Sequence, residues 1–315
     1  MSLIGTVGLI GWIKGTGPNG FGWASTAEEV TEGLDLSDKR MLITGCNSGI
    51  GKETMRVLAM RGATVFGAAR TQQKAERTCE SVEGDTRPVV CELSEPDSVR
   101  SCADEVASSE GSLDAIICNA GIMALPDLEQ VHGYEKQFFV NHIGHFILVT
   151  ELLEQLADDG RVVMLTSDAH NRAPEAGIEF DNLSGEDHYS DWTAYGQSKL
   201  ANLLFARELG RRFEEDETDR TANAVHPGVI NTNLARHLHP FLQGVMKVIE
   251  PVAFKSPEQG AATQTYVAAH PDAADHNGEY FADCNPEKSS EAGRDRELAE
   301  RLWKESERIV DEVST

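Results

Sequence analysis

Short runs that are apolar throughout alternate with longer stretches of helical periodicity along most of the chain, which predicts an α/β protein with a doubly wound parallel sheet in a single domain. Two further observations support this class. A glycine-rich turn sits at the first strand–helix junction, and no internal repeat or low-complexity tract interrupts the alternation.

The elements follow in order. Arg40-Met41-Leu42-Ile43-Thr44, bounded by Gly45, reads as a buried strand, and Ile50 to Met60 as its helix. Ala63 to Ala69 reads as the second strand, Pro88-Val89-Val90-Cys91 as the third and Leu113 to Cys118 as the fourth. Arg161 to Leu165 and Thr221 to Val225 supply the fifth and sixth, with Gly278 to Phe281 a candidate seventh. Strand–helix alternation at this spacing implies right-handed crossovers. The tail from Glu291 to Val310 carries Leu298, Leu302 and Ile309 at helical spacing between charges and is expected to dock as an amphipathic helix. The acidic stretch Glu214 to Asp219 reads as a solvated turn before the sixth strand. The domain is thus expected over residues 36–285, preceded by an extension over 1–35 and followed by the tail helix over 286–315.

Thr44-Gly45-Cys46-Asn47-Ser48-Gly49-Ile50-Gly51 places three glycines where a strand turns into a helix. Such spacing permits a tight turn, close approach of backbone to a pyrophosphate and close helix–strand packing. The N–H groups of the following helix can then receive phosphate oxygens. The end of the second strand selects the dinucleotide. An acid there would bind the ribose 2′-hydroxyl of NAD, but the chain has Ala69 followed by Arg70, whose guanidinium suits the 2′-phosphate of NADP.

Tyr195 and Lys199 stand at i, i+4 on one helical face, in a pattern that continues through Leu200, Leu203, Leu204 and Leu209. A free phenol titrates near 10 and is a poor acid–base group at neutral pH, whereas a neighbouring ammonium stabilises its phenolate. Ser167 follows the fifth strand at the carboxyl edge of the sheet, where ligands bind in such folds.

Taken together, Thr44–Gly51, Cys118-Asn119-Ala120-Gly121, Ser167, Tyr195 with Lys199, and His226-Pro227-Gly228 resemble, in kind and order, the short-chain dehydrogenases/reductases, a family with the Rossmann fold. The resemblance spans about Leu36 to Phe281. The strings GIGKET (49–54), FVNHIGHF (139–146), YGQSKLAN (195–202) and NAVHPG (223–228) are similar to the branch holding retinol dehydrogenases, WW-domain oxidoreductases and chloroplast-import reductase-like proteins.

The resemblance implies roles residue by residue. Tyr195 is the general acid/base, Lys199 lowers its pKa and binds the nicotinamide ribose, Ser167 orients the carbonyl or hydroxyl, and Asn141 holds a water in a relay through Lys199. Gly45, Asn47, Ser48, Gly49, Ile50, Gly51, Arg70, Glu92, Leu93, Asn119, Ala120 and Gly121 would contact the cofactor, NADP. Pro227, Gly228, Val229 and Thr232 would lie near the nicotinamide carboxamide and the phosphates. Three positions depart from the pattern: Cys118 stands for an Asn, Glu92 for an Asp that meets the adenine, and Thr166 for a Ser. His142, His145 and His170 lack a partner at ligand spacing, so no metal is expected and structural hydrogen bonding is assigned to the first two.

Composition bounds the rest. The 315 residues carry 28 basic and 52 acidic side chains, a net charge of −24, which argues against nucleic acid and against charge-driven attachment to an anionic membrane. Six cysteines without C-x-x-C pairing suit small core residues in a reducing compartment, and the cytoplasm is the expected location. No run of about 18 apolar residues spans a membrane. The short apolar run Leu3 to Ile13 lacks a basic n-region and is expected to form a loose head. In this family the segment after the sixth strand, here about Asn231 to Phe254, closes over the substrate. Its Leu234, Leu238, Phe241 and Leu242 would suit a lipophilic aldehyde, ketone or alcohol. The resemblance also implies a homo-dimer or tetramer through the helices bearing Asn141 and Tyr195. Two alternatives stand beside alcohol–carbonyl interconversion: an NADPH-binding regulatory or scaffold protein, and a C=C reductase.

Overall fold

The structure is a computed structural model and describes residues 15–229 and 254–314. The Leu3–Ile13 run, Thr232 and nearly all of the expected substrate-covering segment lie outside the described residues.

Each strand of the centre is apolar on both sides because both faces are covered. In β1 (Arg40–Thr44), Met41 and Ile43 enter the core on one face while Leu42 enters the core on the other. Helix α1 (Gly49–Met60) returns the chain to β2 (Thr64–Ala69), and α2 (Gln72–Glu80) leads to β3 (Thr86–Val90). Helix α3 (Pro96–Ala107) then crosses back to β4 (Leu113–Cys118), which pairs with β1 on its other side. Next come a small hairpin, β5 (Gln130–Val131) with β6 (Tyr134–Glu135), and a composite helix. This helix is α4 (Lys136–Phe138), a π-helical turn (Phe139–Ile143) and α5 (Gly144–Leu152). The remaining elements are β7 (Leu156–Leu165), α6 (Asp191–Glu215), β8 (Thr221–His226), α7 (Pro257–Ala269), β9 (Tyr280–Ala282), β10 (Asn285–Glu287) and α8 (Arg296–Val313).

The sheet order is β10-β9-β8-β7-β4-β1-β2-β3, parallel except for the antiparallel edge strand β10. Register aligns Phe66, Leu42, Ile116, Val162 and Ala222 across one face. Strand order reverses between β1 and β4, and the loops leaving these neighbours diverge to opposite sides. That divergence opens a crevice at their carboxyl ends.

Three features differ from the sequence reading. The fifth strand starts earlier, at Leu156, through a register shift against β4 that carries the polar Ala157–Gly160 stretch. The seventh strand is present as β9, joined by an edge strand whose alternation was too short to read. The extension from Gly15 onward, to which the sequence reading gave no contacts, packs on the domain: Trp23 and Ala27 are buried, Asn19 Nδ2 donates to the Cys284 carbonyl at 2.7 Å, and Ala27 N–H donates to the Glu258 carbonyl at 2.9 Å.

Helix α8 lies over the π-turn and α6. Trp303 stacks on Phe205 at 5.5 Å and meets Phe146 edge-on at 5.0 Å, with Arg212 over the indole at 4.0 Å. It therefore covers, from within the chain, a face of the helices through which the resemblance implies dimerisation.

Candidate active site

The crevice between β1 and β4 is a cleft of about 380 Å³. Its floor is the glycine turn. Gly45 (φ +70°) and Gly49 (φ +56°) occupy the left-handed region. At Gly45 a Cβ would stand 2.8 Å from the Ala120 Cα, and at Gly51 it would stand 2.4 Å from Asn119 Nδ2. These two glycines thus let the turn press against the end of β4, which keeps the cleft open for a ligand. The first turn of α1 contains no acidic side chain, and Ser48 at its N-cap makes no side-chain cap, so among the described residues no side chain caps its N–H groups.

Gly45, Asn47, Ser48, Gly49, Ile50, Gly51, Arg70, Glu92, Leu93, Asn119, Ala120 and Gly121 all line this cleft. Arg70 is exposed at the end of β2, and its guanidinium has no partner among the described residues. Glu92 is turned toward its own loop: Oε1 accepts from Ser94 N–H at 3.3 Å and from the Ser94 hydroxyl at 2.9 Å. Thr44, Ala69, Cys91, Ile122 and Val140 also line the walls; Cys91 and Ile122 are apolar positions outside every motif read from the sequence. Pro227, Gly228 and Val229 follow β8 and do not line the cleft. Gly228 (φ +87°) lies against the stem of the buried Lys255, whose ammonium reaches Asp283 at 2.7 Å.

Gly121 joins the cleft to the polar groups behind it. A Cβ there would meet Asn141 Oδ1 at 3.1 Å and Lys199 Nζ at 3.3 Å. Lys199 is buried and donates from Nζ to the Leu165 carbonyl at 3.1 Å, which also receives Asn202 Nδ2 at 3.0 Å. Burial pushes the Lys199 ammonium down from 10.5 to about 8. Its Nζ lies 5.7 Å from the centre of the Tyr195 ring. Burial pushes the Tyr195 phenol up to about 12, opposed by a hydrogen bond with the Ser167 side chain. The free protein therefore holds a protonated phenol beside a hydroxyl and a cation at neutral pH.

Ser167 is held in extended backbone (φ −155°) at the end of β7, with its Oγ accepting from Ala169 N–H at 3.2 Å and its carbonyl accepting from His170 Nδ1 at 2.7 Å. Thr166, which departs from the family's serine, donates its hydroxyl to the Lys199 carbonyl at 2.7 Å and so ties β7 to α6. Asn141 spends its whole side chain on scaffolding. Oδ1 accepts from Ile122 N–H at 2.8 Å, and Nδ2 donates to the Ile122 carbonyl and to Ser198 Oγ, both at 2.9 Å. His142 and His145 are buried in structural bonds, and among the described residues no group of three or more His, Cys, Asp or Glu could hold a metal.

The comparisons agree with this geometry. A family model described as short chain dehydrogenase matches residues 39–242. The chain is 41% identical over 318 residues to "Short-chain dehydrogenase TIC 32 A, chloroplastic" of Brassica napus, covering 97% of this chain and 99% of that protein. It is 40% identical over 280 residues to "Retinol dehydrogenase 12" of Mus musculus, covering 87% and 86%. Among solved structures, an uncharacterised protein from Mycobacterium Paratuberculosis superposes with a TM-score of 0.74 at 32% identity, covering 90% of this chain and 97% of that one. The "Pseudomonas aeruginosa RhlG/NADP active-site complex" superposes at 0.62 and 25% identity, covering 79% and 95%. A glycine cradle open to a dinucleotide, with Ser167, Tyr195 and Lys199 beside it, sits on a chain that matches on both counts: it belongs to the short-chain dehydrogenase/reductase family of nicotinamide-nucleotide oxidoreductases, in the branch that contains the retinol dehydrogenases.

Proposed function

We propose that the protein is an NADPH-dependent reductase of a lipophilic aldehyde or ketone, running in reverse as an alcohol dehydrogenase. The observation that carries the cofactor choice is Arg70, a guanidinium without a partner among the described residues at the cleft wall, where an acid would select NAD. The turn that Gly45 and Gly51 press against the end of β4, where a Cβ would clash, fits the close approach of a pyrophosphate, and the open first turn of α1 fits its charge. Exposed Met123, Leu128 and Val229 on the loops that follow β4 and β8 support an apolar substrate. Six free, buried cysteines support the cytoplasm as the proposed location. Among the described residues no helix is long and apolar enough to cross a membrane.

Bound NADPH supplies the hydride, and the chain supplies position and a proton. Ser167 receives the substrate oxygen, and Tyr195, protonated in its buried setting, donates its hydroxyl proton to that oxygen as charge develops on it. The Lys199 ammonium stabilises the phenolate left behind. Asn141, which meets Lys199 behind Gly121, holds a water of the proton relay that runs through Lys199.

The test is NADPH consumption with a panel of aldehydes, ketones and enones, comparing wild type with Tyr195→Phe. Turnover of carbonyls that disappears in the variant while NADPH still binds is the expected result. Turnover confined to the enone C=C bond would replace carbonyl reduction by alkene reduction. Tight NADPH binding with no turnover on any compound would replace the enzyme by a sensor.

A further inference from the structure

His145 is fully buried on α5 and takes no part in the chemistry above, yet it bridges the floor of the cofactor cleft and the π-turn behind the catalytic lysine. One ring nitrogen, Nε2, lies 2.9 Å from Thr44 Oγ1, and the other, Nδ1, lies 2.9 Å from the Asn141 carbonyl oxygen. A carbonyl oxygen only accepts, so Nδ1 carries the proton. Thr44 Oγ1 accepts the N–H groups of Asn119 and Ala120, both at 3.0 Å, which leaves its own proton to be given to Nε2. Burial, with the Lys199 ammonium nearby, pushes the ring down to about 4, so it is neutral at physiological pH and its tautomer is single.

The chain of bonds then runs without a gap. Asn119 and Ala120 line the cleft, Thr44 gathers their N–H groups, and His145 passes from Thr44 to the Asn141 backbone. Asn141 grips Ile122 and Ser198, and the Ser198 hydroxyl donates to the Tyr195 carbonyl at 2.8 Å.

We propose that His145, as the neutral Nδ1–H tautomer, is a positioning residue that fixes the Asn141 carbonyl against the cofactor floor and thereby sets the placement of Lys199 and Tyr195. The inference rests on the reading of Tyr195 and Lys199 as acid and cation. A histidine that merely fills the core would contribute to stability alone, whereas this one divides its two bonds between cofactor floor and catalytic turn.

Three variants separate these bonds. His145→Phe removes both. In His145→Asn the amide nitrogen stands near the position of Nδ1 and can still donate to Asn141. In His145→Gln the longer amide reaches toward Thr44 and leaves Asn141 without its donor. The expected result is a kcat lower by on the order of 10- to 100-fold in the Phe and Gln variants, with the Asn variant recovering most of it and NADPH Kd changing by less than about threefold throughout. Equal losses in all three variants, tracking their melting temperatures, would reduce His145 to a core residue.

Two readouts do not need turnover. Nitrogen-15 spectra of labelled histidine should show a ring protonated at Nδ1, and a ring protonated at Nε2 would overturn the proposal. The carbon-13 titration of Tyr195 in the NADP-bound protein should move in the Gln variant and stay in place in the Asn variant; no movement in either would also overturn it. If wild type reduced nothing, the function proposed above would fall, while the tyrosine titration would still judge His145.

Discussion

At the scale of single residues, the chemistry is set by what surrounds each group and not by its identity. Arg70 and Arg56 illustrate the difference. Arg56 is spent on Glu53 and Glu28, while Arg70, at the lip of the cleft, faces no carboxylate among the described residues. A charge-assisted hydrogen bond contributes about 1.5–3 kcal/mol, so loss of the guanidinium together with a new repulsion should be decisive. Arg70→Asp is expected to weaken NADPH binding on the order of 100-fold while NADH affinity changes by less than about threefold. Fluorescence titration of both cofactors measures this, and equal losses would remove the 2′-phosphate from the assignment. Asn141 teaches the same lesson in reverse. Its type and place match the family pattern, and its side chain also ties the loop after β4 to α6 through Ile122 and Ser198, a duty that its motif does not announce.

At the scale of elements, the composite helix α4–π-turn–α5 concentrates buried polarity on the site side of the sheet. Burial pushes His142 down to about 3 and His145 to about 4, and His226 at the end of β8 also falls to about 4. All three drop from an unfolded value of 6.5. Between pH 6.5 and about 4 the unfolded chain therefore binds more protons than the native one, and stability rises with pH across that window and is lost on acidification. Each ring contributes up to about 1.4 kcal/mol per pH unit there. Glu135, raised by burial at the start of this helix, acts in the opposite sense. Urea unfolding at pH 7 and pH 5.5 should show a marked loss, and His142→Phe, placed among Phe138, Phe146 and Phe205, should show a shallower one. Parallel losses in the two proteins would mean that His142 titrates normally in the fold.

At the scale of the whole molecule, the net charge of −24 acts on everything at once. Self-repulsion among exposed carboxylates opposes the compact state, and the Debye length shortens from about 10 Å at 0.1 M salt to about 3 Å at 1 M. Exposed pairs such as Arg308 with Glu305 and Glu312 lose a little by the same screening, at most about 1 kcal/mol each. The unbalanced charge exceeds what these pairs return, so the melting temperature should rise by several degrees between 0.1 and 1 M KCl. A flat curve would show that the repulsion and the ion pairs cancel, and a falling one that the pairs outweigh the repulsion. Helix α8 adds a second whole-molecule effect: by seating Trp303 on Phe146 and Phe205, it buries aromatic surface of α5 and α6 within the chain.

The sequence by itself determined the layered α/β class, the glycine turn and the Ser167, Tyr195 and Lys199 set. Strand burial and helix spacing are local periodicities, and the turn's glycines are demanded by local backbone geometry; both are written in consecutive residues. Only the tertiary structure decided what pairs at long range. Thr44 with His145, Asn141 with Ile122, Thr166 with the Lys199 backbone and Lys255 with Asp283 are separated along the chain and share no periodicity. In the sequence Thr166 stood out only as a departure from a serine, and His145 as a histidine expected to make structural hydrogen bonds whose partners it did not name. Their meaning is a direction and a distance, and a hydrogen bond acquires both only when the sheet brings its partners together.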